Sequence, residues 1–429
     1  MKFELLHPSD QLVMMMDRIY RSGLTTTSGG NLSILDDNGD IWITPASIDK
    51  GNLTRSDICC VKPDGAVIGQ HKPSVELPFH ASIYSRRPDL RAVLHAHPPH
   101  LVAFSVVRKL PDVNLVANAR RTCGVLAMVE YAVPGSETLG DRIAAEFEKG
   151  INIVVMENHG VCIGSDTMFN AFIKFETLET TAALEILARK IGVPRALQES
   201  EFSLTETRDH LTLDDFVPNR HSPEECAARR DMITLIRRSY QQCLFVSTQG
   251  TYSVRLSDGS FLITPYGVDR AYMDESDLVL IKNGMKEQGK IPSRSVKMHE
   301  LIYQIHPSIN SVLAANPIHA MAFAVTDAPF DSRTIPESYI NLRQVKKAPF
   351  SAVYTKHEVV ANMFSEKSPV IIGENASIFA SGTSLLHAFD RLEVCEATAH
   401  AILAAKDIGD LVHISNSEIK EIDNVFNLK

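Results

Sequence analysis

The sequence predicts an α/β protein in which one helix–sheet–helix layered domain, with a largely antiparallel central sheet, is written twice. Three observations carry this expectation. Blocks recur in one order: WITPASID (42–49) returns as LITPYGVD (262–269), RPDLRAVLHAHPPHLVAF (87–104) as HPSINSVLAANPIHAMAF (306–323), and AFIKFETLETTAALEILARKIG (171–192) as AFDRLEVCEATAHAILAAKDIG (388–409). The offsets between block starts are 220, 219 and 217 residues. A period this long means two copies of a whole domain rather than a solenoid unit. Helix signals open and close each copy, and Gly-containing hairpin turns lie between them.

The elements follow in chain order. In HPSDQLVMMMDRIYRSGL, Ser9 is placed to cap a helix, Leu12, Met15, Met16 and Ile19 share one helical face, and Gly23 ends it. Short strands flank the turns Asn38-Gly39 and Asp64-Gly65, and again Asp258-Gly259 and Asn283-Gly284. A helix is expected over 75–86, then the strand RAVLHAH, then a strand–turn–strand in INIVVMENHGVCIG, then a long amphipathic helix over 167–191. The seam falls at TRDHLTLDDFVPNRHSPEE (207–225), polar and with two prolines, which sets the expected domains at 1–206 and 221–429.

Composition excludes several classes. Hydrophobic residues make 44% and charged residues 22% of the 429, a balance that favours a packed core over disorder. Lys plus Arg number 43 against 52 Asp plus Glu, a net charge of −9 with no basic run, so no nucleic-acid partner is expected. Apolar runs are strand-length, which excludes a membrane span, and Glu4 and Asp10 stand where a signal peptide needs its apolar centre. Seven cysteines without a CxxC read as buried thiols of a reducing compartment, and hence a cytoplasmic protein.

His95 and His97 stand two apart at the end of an apolar strand, so both imidazoles leave the same face. His159 follows the apolar run INIVV at another strand end, and Glu76 sits on the helix just before the HxH strand. Three imidazoles with an open position make a catalytic divalent-metal site. The second copy is an internal control. It carries Ala314, Asn316, Ala376 and Ser295 at the positions of His95, His97, His159 and Glu76, while Tyr303, Pro317, Asn375 and Phe389 match Tyr84, Pro98, Asn158 and Phe172. The four chemical residues are missing together while scaffold persists. His80 and His100 have counterparts in His299 and His319 and are therefore assigned structural roles.

These motifs resemble the class II aldolase/adducin family, whose best-known enzymes cleave fuculose- and rhamnulose-1-phosphate. The resemblance rests on SGGNLS (28–33), ITPASID (43–49), KPSVELPFHASIY (72–84), VLHAHPPH (93–100), YAVPGSETLG (131–140) and ENHG (157–160), within residues 10–190. It implies zinc, or another divalent metal, on His95, His97 and His159. It also implies Glu76 as catalytic acid/base and Tyr131 exchanging a proton with the aldehyde oxygen. The implied reaction is aldol cleavage or formation of a ketose phosphate, or a related sugar, through a metal-stabilised enediolate.

Substrate binding is implied for Ser28, Gly30, Asn31, Ser47 and Ser74. The pattern departs at Ala46-Ser47, where the family has Thr-Gly, and at Val75, where it has a second serine. Each missing charge-assisted hydrogen bond is worth about 1.5–3 kcal/mol, so a phosphate would bind more weakly or be absent from the substrate. Alternatives in the same family are an epimerase or dehydratase; the epimerases resemble this motif with Asp where Glu76 stands. Another alternative is a non-catalytic, adducin-like assembly protein. Family rings of four imply a homo-oligomer, a dimer of two-domain chains imitating a tetramer. In such a ring with alternating copies, each metal site would border a second copy that has Phe350 near the position of Tyr131, with Tyr339 and Tyr354 as possible substitutes, so either Tyr131 does not serve that site or the copies do not alternate.

Overall fold

The computed structural model describes residues 3–206 and 212–428. Residues 207–211 of the expected seam lie outside the described residues. The chain forms two compact units, 1–113 with 119–183, and 114–118 with 184–429. Thus 184–206 and the short segment 114–118 count with the second unit.

The first unit has the strands β1 (Asn31–Leu35), β2 (Ile41–Ile43), β3 (Cys59–Val61), β4 (Val67–Ile68), β5 (Ala92–Ala96), β6 (Leu126–Val129), β7 (Ile153–Met156) and β8 (Val161–Ser165). They form one sheet in the order β4-β3-β2-β1-β5-β8-β7-β6. Every pairing is antiparallel except β6 with β7. The Gly-containing turns close the hairpins as expected, with Gly39 and Gly65 at φ +83° and +86°.

Helices α1 (Pro8–Arg21), α2 (Leu77–Arg86), α3 (Pro99–Val106), α4 (Ala117–Cys123), α5 (Glu137–Glu148) and α6 (Met168–Ala188) follow in chain order. Leu12, Met15, Met16 and Ile19 of α1 are buried, and Gly23 takes the left-handed conformation after the helix. The N-cap is His7 rather than Ser9, because Pro8 is pre-set for the first helical position and the His7 ring accepts from the Ser9 N–H. Arg18 of α1 lies over the Phe172 ring of α6 at 4.4 Å. On one face of the sheet, Val93, Val154, Met156 and Cys162 pack with Phe79 and Ile83 of α2 and Ile143 and Phe147 of α5. Alternation along β5 sends His95 to the same side as Val93, at the strand end.

The second unit repeats this plan. Its strands are ordered 346–348, 370–373, 377–382, 311–315, 251–255, 261–263, 279–282, 285–287, with 215–216 added in parallel at the edge. Leaving out that added strand, each sits where its counterpart 217–220 residues earlier sits in the first sheet. Asn283-Gly284 forms a two-residue hairpin with φ of 54° and 74°. Two of the seven cysteines, Cys226 and Cys243, are exposed, correcting the expectation that all are buried; none of the seven is joined in a disulfide.

Candidate active site

The site grows from the ends of β5 and of the β7–β8 turn. β1 pairs with β5 so that Asn31 lies opposite His95, and β8 places Cys162 on the other side of it. Close approach is possible because of two glycines. A Cβ on Gly30, which has φ +72°, would stand 2.7 Å from the His95 carbonyl, and one on Gly160 would stand 2.5 Å from the Ala96 carbonyl. Asn158 turns the chain at φ +52°, delivering His159.

His95, His97 and His159 converge, with one ligand nitrogen of each lying within 4.8 Å of the others. The Nε2 atoms of His95 and His97 are 3.0 Å apart. For a tetrahedral ion at 2.0–2.1 Å from nitrogen, ligand atoms stand about 3.4 Å apart, so the cluster is close to a metal-holding geometry. His95 Nδ1 donates to the Val161 carbonyl at 2.9 Å, which fixes the tautomer and leaves the Nε2 lone pair for a ligand role. Burial disfavours a charged ring at each position. It pushes His95 down to about 3, with His159 nearby adding to the effect, and His97 down to about 4, and it lowers His159 as well. Three neutral imidazoles around one point are what a cation needs.

Glu76 occupies the N-cap of α2 rather than the helix, because Pro78 restricts the residues before it, and its side chain caps nothing. Its carboxylate turns to the cluster instead, Oε2 at 3.3 Å from His95 Nε2 and Oε1 at 3.6 Å from His159 Nε2. Oε1 of Glu76 and Nδ1 of His159 are buried with no hydrogen-bond partner among the described residues. An orphaned carboxylate oxygen beside neutral imidazoles fits a site made for a divalent cation.

The other expected residues divide. Ser74 is buried beside Glu76, whose N–H reaches the Ser74 Oγ at 3.3 Å, and Gly30 is buried against His95. Asn31 is buried with its amide on Glu76 at 2.7 Å. Ser28 and Ser47 are exposed at the surface of the same loops, Ser47 at φ +57°. Val75 is 70% exposed next to Glu76. Tyr131 stands apart: its side chain is 53% exposed, and its backbone N–H donates to Glu157 at 3.3 Å. His100 bonds Glu179, whose carboxylate also accepts the first N–H groups of α3, and His319 with Glu396 repeats this in the second unit.

The family model for the class II aldolase and adducin N-terminal domain matches residues 10–186 and again 230–403. The chain belongs to the class II aldolase/adducin family. Both copies are members, in accord with a tandem duplication. An L-fuculose phosphate aldolase of Methanococcus maripaludis is 34% identical over 179 residues, 42% of this chain and 93% of that protein. A 5-deoxy-D-ribulose 1-phosphate aldolase of Bacillus thuringiensis is 32% identical over 198 residues, 45% of this chain and 90% of its own. A 3-oxo-tetronate 4-phosphate decarboxylase of Haemophilus influenzae is 27% identical over 183 residues, covering 42% and 87%. A solved L-fuculose 1-phosphate aldolase shares 30% identity over 46% of this chain and 93% of that one, with a TM-score of 0.42. Each relative has the length of one copy. No helix among the described residues is long and apolar enough to cross a membrane.

Proposed function

We propose that the first copy is a zinc-dependent aldolase site that cleaves or forms a ketose phosphate or a related sugar. One observation carries the reading: a buried carboxylate, Glu76, faces three neutral imidazoles at 3.3 and 3.6 Å. A bound divalent metal would supply a Lewis acid that draws electron density from the ketose carbonyl. His95, His97 and His159 hold that metal. Glu76 takes the proton from, or returns it to, the carbon beside the carbonyl. Tyr131 of a neighbouring first copy exchanges the proton of the aldehyde oxygen, which requires that the copies do not alternate around the ring.

Ser28, Gly30, Asn31, Ser47 and Ser74 line the substrate side. With Ala46 and Val75 in place of two hydroxyl donors, the substrate is a different phosphate ester or an unphosphorylated sugar or sugar acid. The active unit is a homo-oligomer, a dimer of two-domain chains with domains 1–206 and 221–429, acting in the cytoplasm.

A second reading is favoured by the decarboxylase relative. Loss of CO2 from a 3-oxo acid leaves the same kind of carbanion next to a carbonyl, so one site serves either reaction. Purified protein should carry about one divalent metal per chain and release aldehyde from ketose phosphates, with Glu76→Gln lowering turnover by about 10²–10⁴ while metal is retained. CO2 release from 3-oxo acids without aldehyde from any ketose would replace the first reading by the second. Less than half a metal per chain after chelator-free purification would sink both.

A further inference from the structure

We infer that Asn31 is a positioning residue that aims the Glu76 carboxylate, and that the buried His80 anchors Asn31 at its other end. The inference rests on the proposed role of Glu76 and goes beyond it, because Asn31 otherwise belongs to the substrate-binding set.

The chain of bonds fixes every donor and acceptor. Asn31 Nδ2 donates to Glu76 Oε2 at 2.7 Å, across 45 residues of sequence. Its Oδ1 is thereby turned to His80, whose Nε2 stands 2.5 Å away and must carry the proton. His80 Nδ1 is then an acceptor, and the Ser33 hydroxyl lies 2.6 Å from it. Tyr84 completes the chain, its hydroxyl 2.8 Å from Ser33 Oγ and 3.0 Å from the Ser33 carbonyl. Asn31, His80, Ser33 and Tyr84 are all buried. A flipped Asn31 amide would set oxygen against carboxylate and N–H against N–H, so the network admits one orientation.

The second unit separates scaffold from positioning. There Ser253 bonds His299 at 2.7 Å and Tyr303 at 2.6 Å, so the Ser–His–Tyr part is intact. Thr251 stands where Asn31 stands, and Ser295 where Glu76 stands. Thr251 bonds Ser293 at 2.6 Å, and Ser293 bonds Ser295 at 3.1 Å. The amide has gone with the carboxylate, while the part needed for packing remains. Asn31 therefore serves Glu76 rather than the fold.

Two experiments test this. In steady-state kinetics, Asn31→Leu and Asn31→Thr should lower kcat by about tenfold to a hundredfold, the size expected for a misaimed group, over and above any rise in KM from losing a substrate-lining side chain. Metal content should stay at that of the parent protein. In a Glu76→Gln background Asn31→Leu should cost nothing further. In metal-free protein, Asn31→Leu should lower the melting temperature by about 2–4 °C, and Glu76→Leu in the same chain should recover the part due to the stranded carboxylate, leaving the part due to the His80 N–H that loses its acceptor. Asn31→Thr is the variant whose residue the second copy already accommodates in the same network.

A raised KM at unchanged kcat, additive effects with Glu76→Gln, or a melting loss independent of Glu76 would each overturn the assignment. The melting cycle needs no substrate. If no ketose or 3-oxo acid turns over, the proposed reaction fails while the coupling of Asn31 to Glu76 is still decided.

Discussion

The same strand ends are built twice and filled differently. In the first unit three imidazoles and a carboxylate meet at the ends of β5 and β7, and two of their polar atoms have no hydrogen-bond partner among the described residues. In the second, Ala314 and Ala376 stand where His95 and His159 stand, and both belong to an apolar cluster with Ala117, Leu197, Phe350 and Phe379. Asn316, at the place of His97, donates to the Ala376 carbonyl at 2.5 Å, joining directly the two strand ends that the first unit joins through histidines. Asn375, the counterpart of Asn158, donates to the carbonyls of Leu115 and Arg195 at 2.9 and 2.7 Å. One copy leaves two polar atoms at these strand ends without a hydrogen-bond partner among the described residues, and the other joins the same strand ends with a hydrogen bond of its own. The second copy shows the same fold with apolar packing at the corresponding strand ends.

The comparison can be broken most forcefully at the histidines. Replacing any one of His95, His97 or His159 by Ala should weaken metal binding by more than the roughly 10–100-fold that loss of a ligand-orienting partner costs, read by chelator competition. Placing histidines at 314, 316 and 376 together should not create a second metal site, because the apolar cluster occupies that space. Two metals per chain in that variant would mean that residue identity alone distinguishes the copies.

A smaller effect is expected at the paired asparagines. Asn375→Ala should destabilise the second unit by about 1–3 kcal/mol for each carbonyl left without a donor, whereas Asn158→Ala, with only its left-handed backbone to lose, should cost about 1–2 kcal/mol. Chemical denaturation of both variants reads the difference. Equal losses would show that the two turns are held alike.

The shared network offers the control in which the copies should agree. Ser33→Ala and Ser253→Ala each strand a buried histidine nitrogen and remove one partner of a tyrosine hydroxyl, and each should cost about 1–3 kcal/mol. Unequal losses would show that this network is not the common scaffold.

The smallest effect concerns a buried cation. Lys50 and Arg270 share a position, and each donates to the carbonyl of the proline five residues earlier. Burial pushes Lys50 down to about 8 from its ordinary 10.5, while Arg270, pushed down to about 10, stays charged through pH 9. The unfolded chain then binds more protons at Lys50 than the folded one between about pH 8 and 10.5, so the penalty of burying it fades as pH rises through that window. The urea-midpoint gap between the parent and Lys50→Met should therefore move in favour of the parent from pH 7 to 10. A gap that is flat with pH would show that Lys50 stays charged.

Much of this was legible in one dimension. The repeat offsets marked two copies, and the Gly turns marked the hairpins. The spacing of His95 and His97 placed both rings on one face, because alternation along a strand is fixed locally by the backbone. The loss of His95, His97, His159 and Glu76 together in the second copy singled them out, since a duplicated sequence records which positions the fold needs. The same signal was present for Asn31, which becomes Thr251 when Glu76 becomes Ser295.

Other features depended on distant contacts. No local pattern marks α3 after Pro98-Pro99 or the parallel pairing of β6 with β7. Nothing in the sequence around Ala117 or Leu197 says that they join the apolar cluster of the second copy, and nothing near Asn375 points to a carbonyl 260 residues away. Glu76 was expected on a helix; only the placement of α2 against β1 and β5 turned its carboxylate from the helix end toward the imidazoles. The sequence by itself determined the duplication and singled out His95, His97 and His159 as candidate metal ligands, because spacing along a strand and residue type are local properties. Tertiary structure decided the aim of Glu76, the bond from Asn31 and the filling of the second site. Those depend on which atoms packing brings within about 3 Å, where hydrogen bonds form and desolvation is felt.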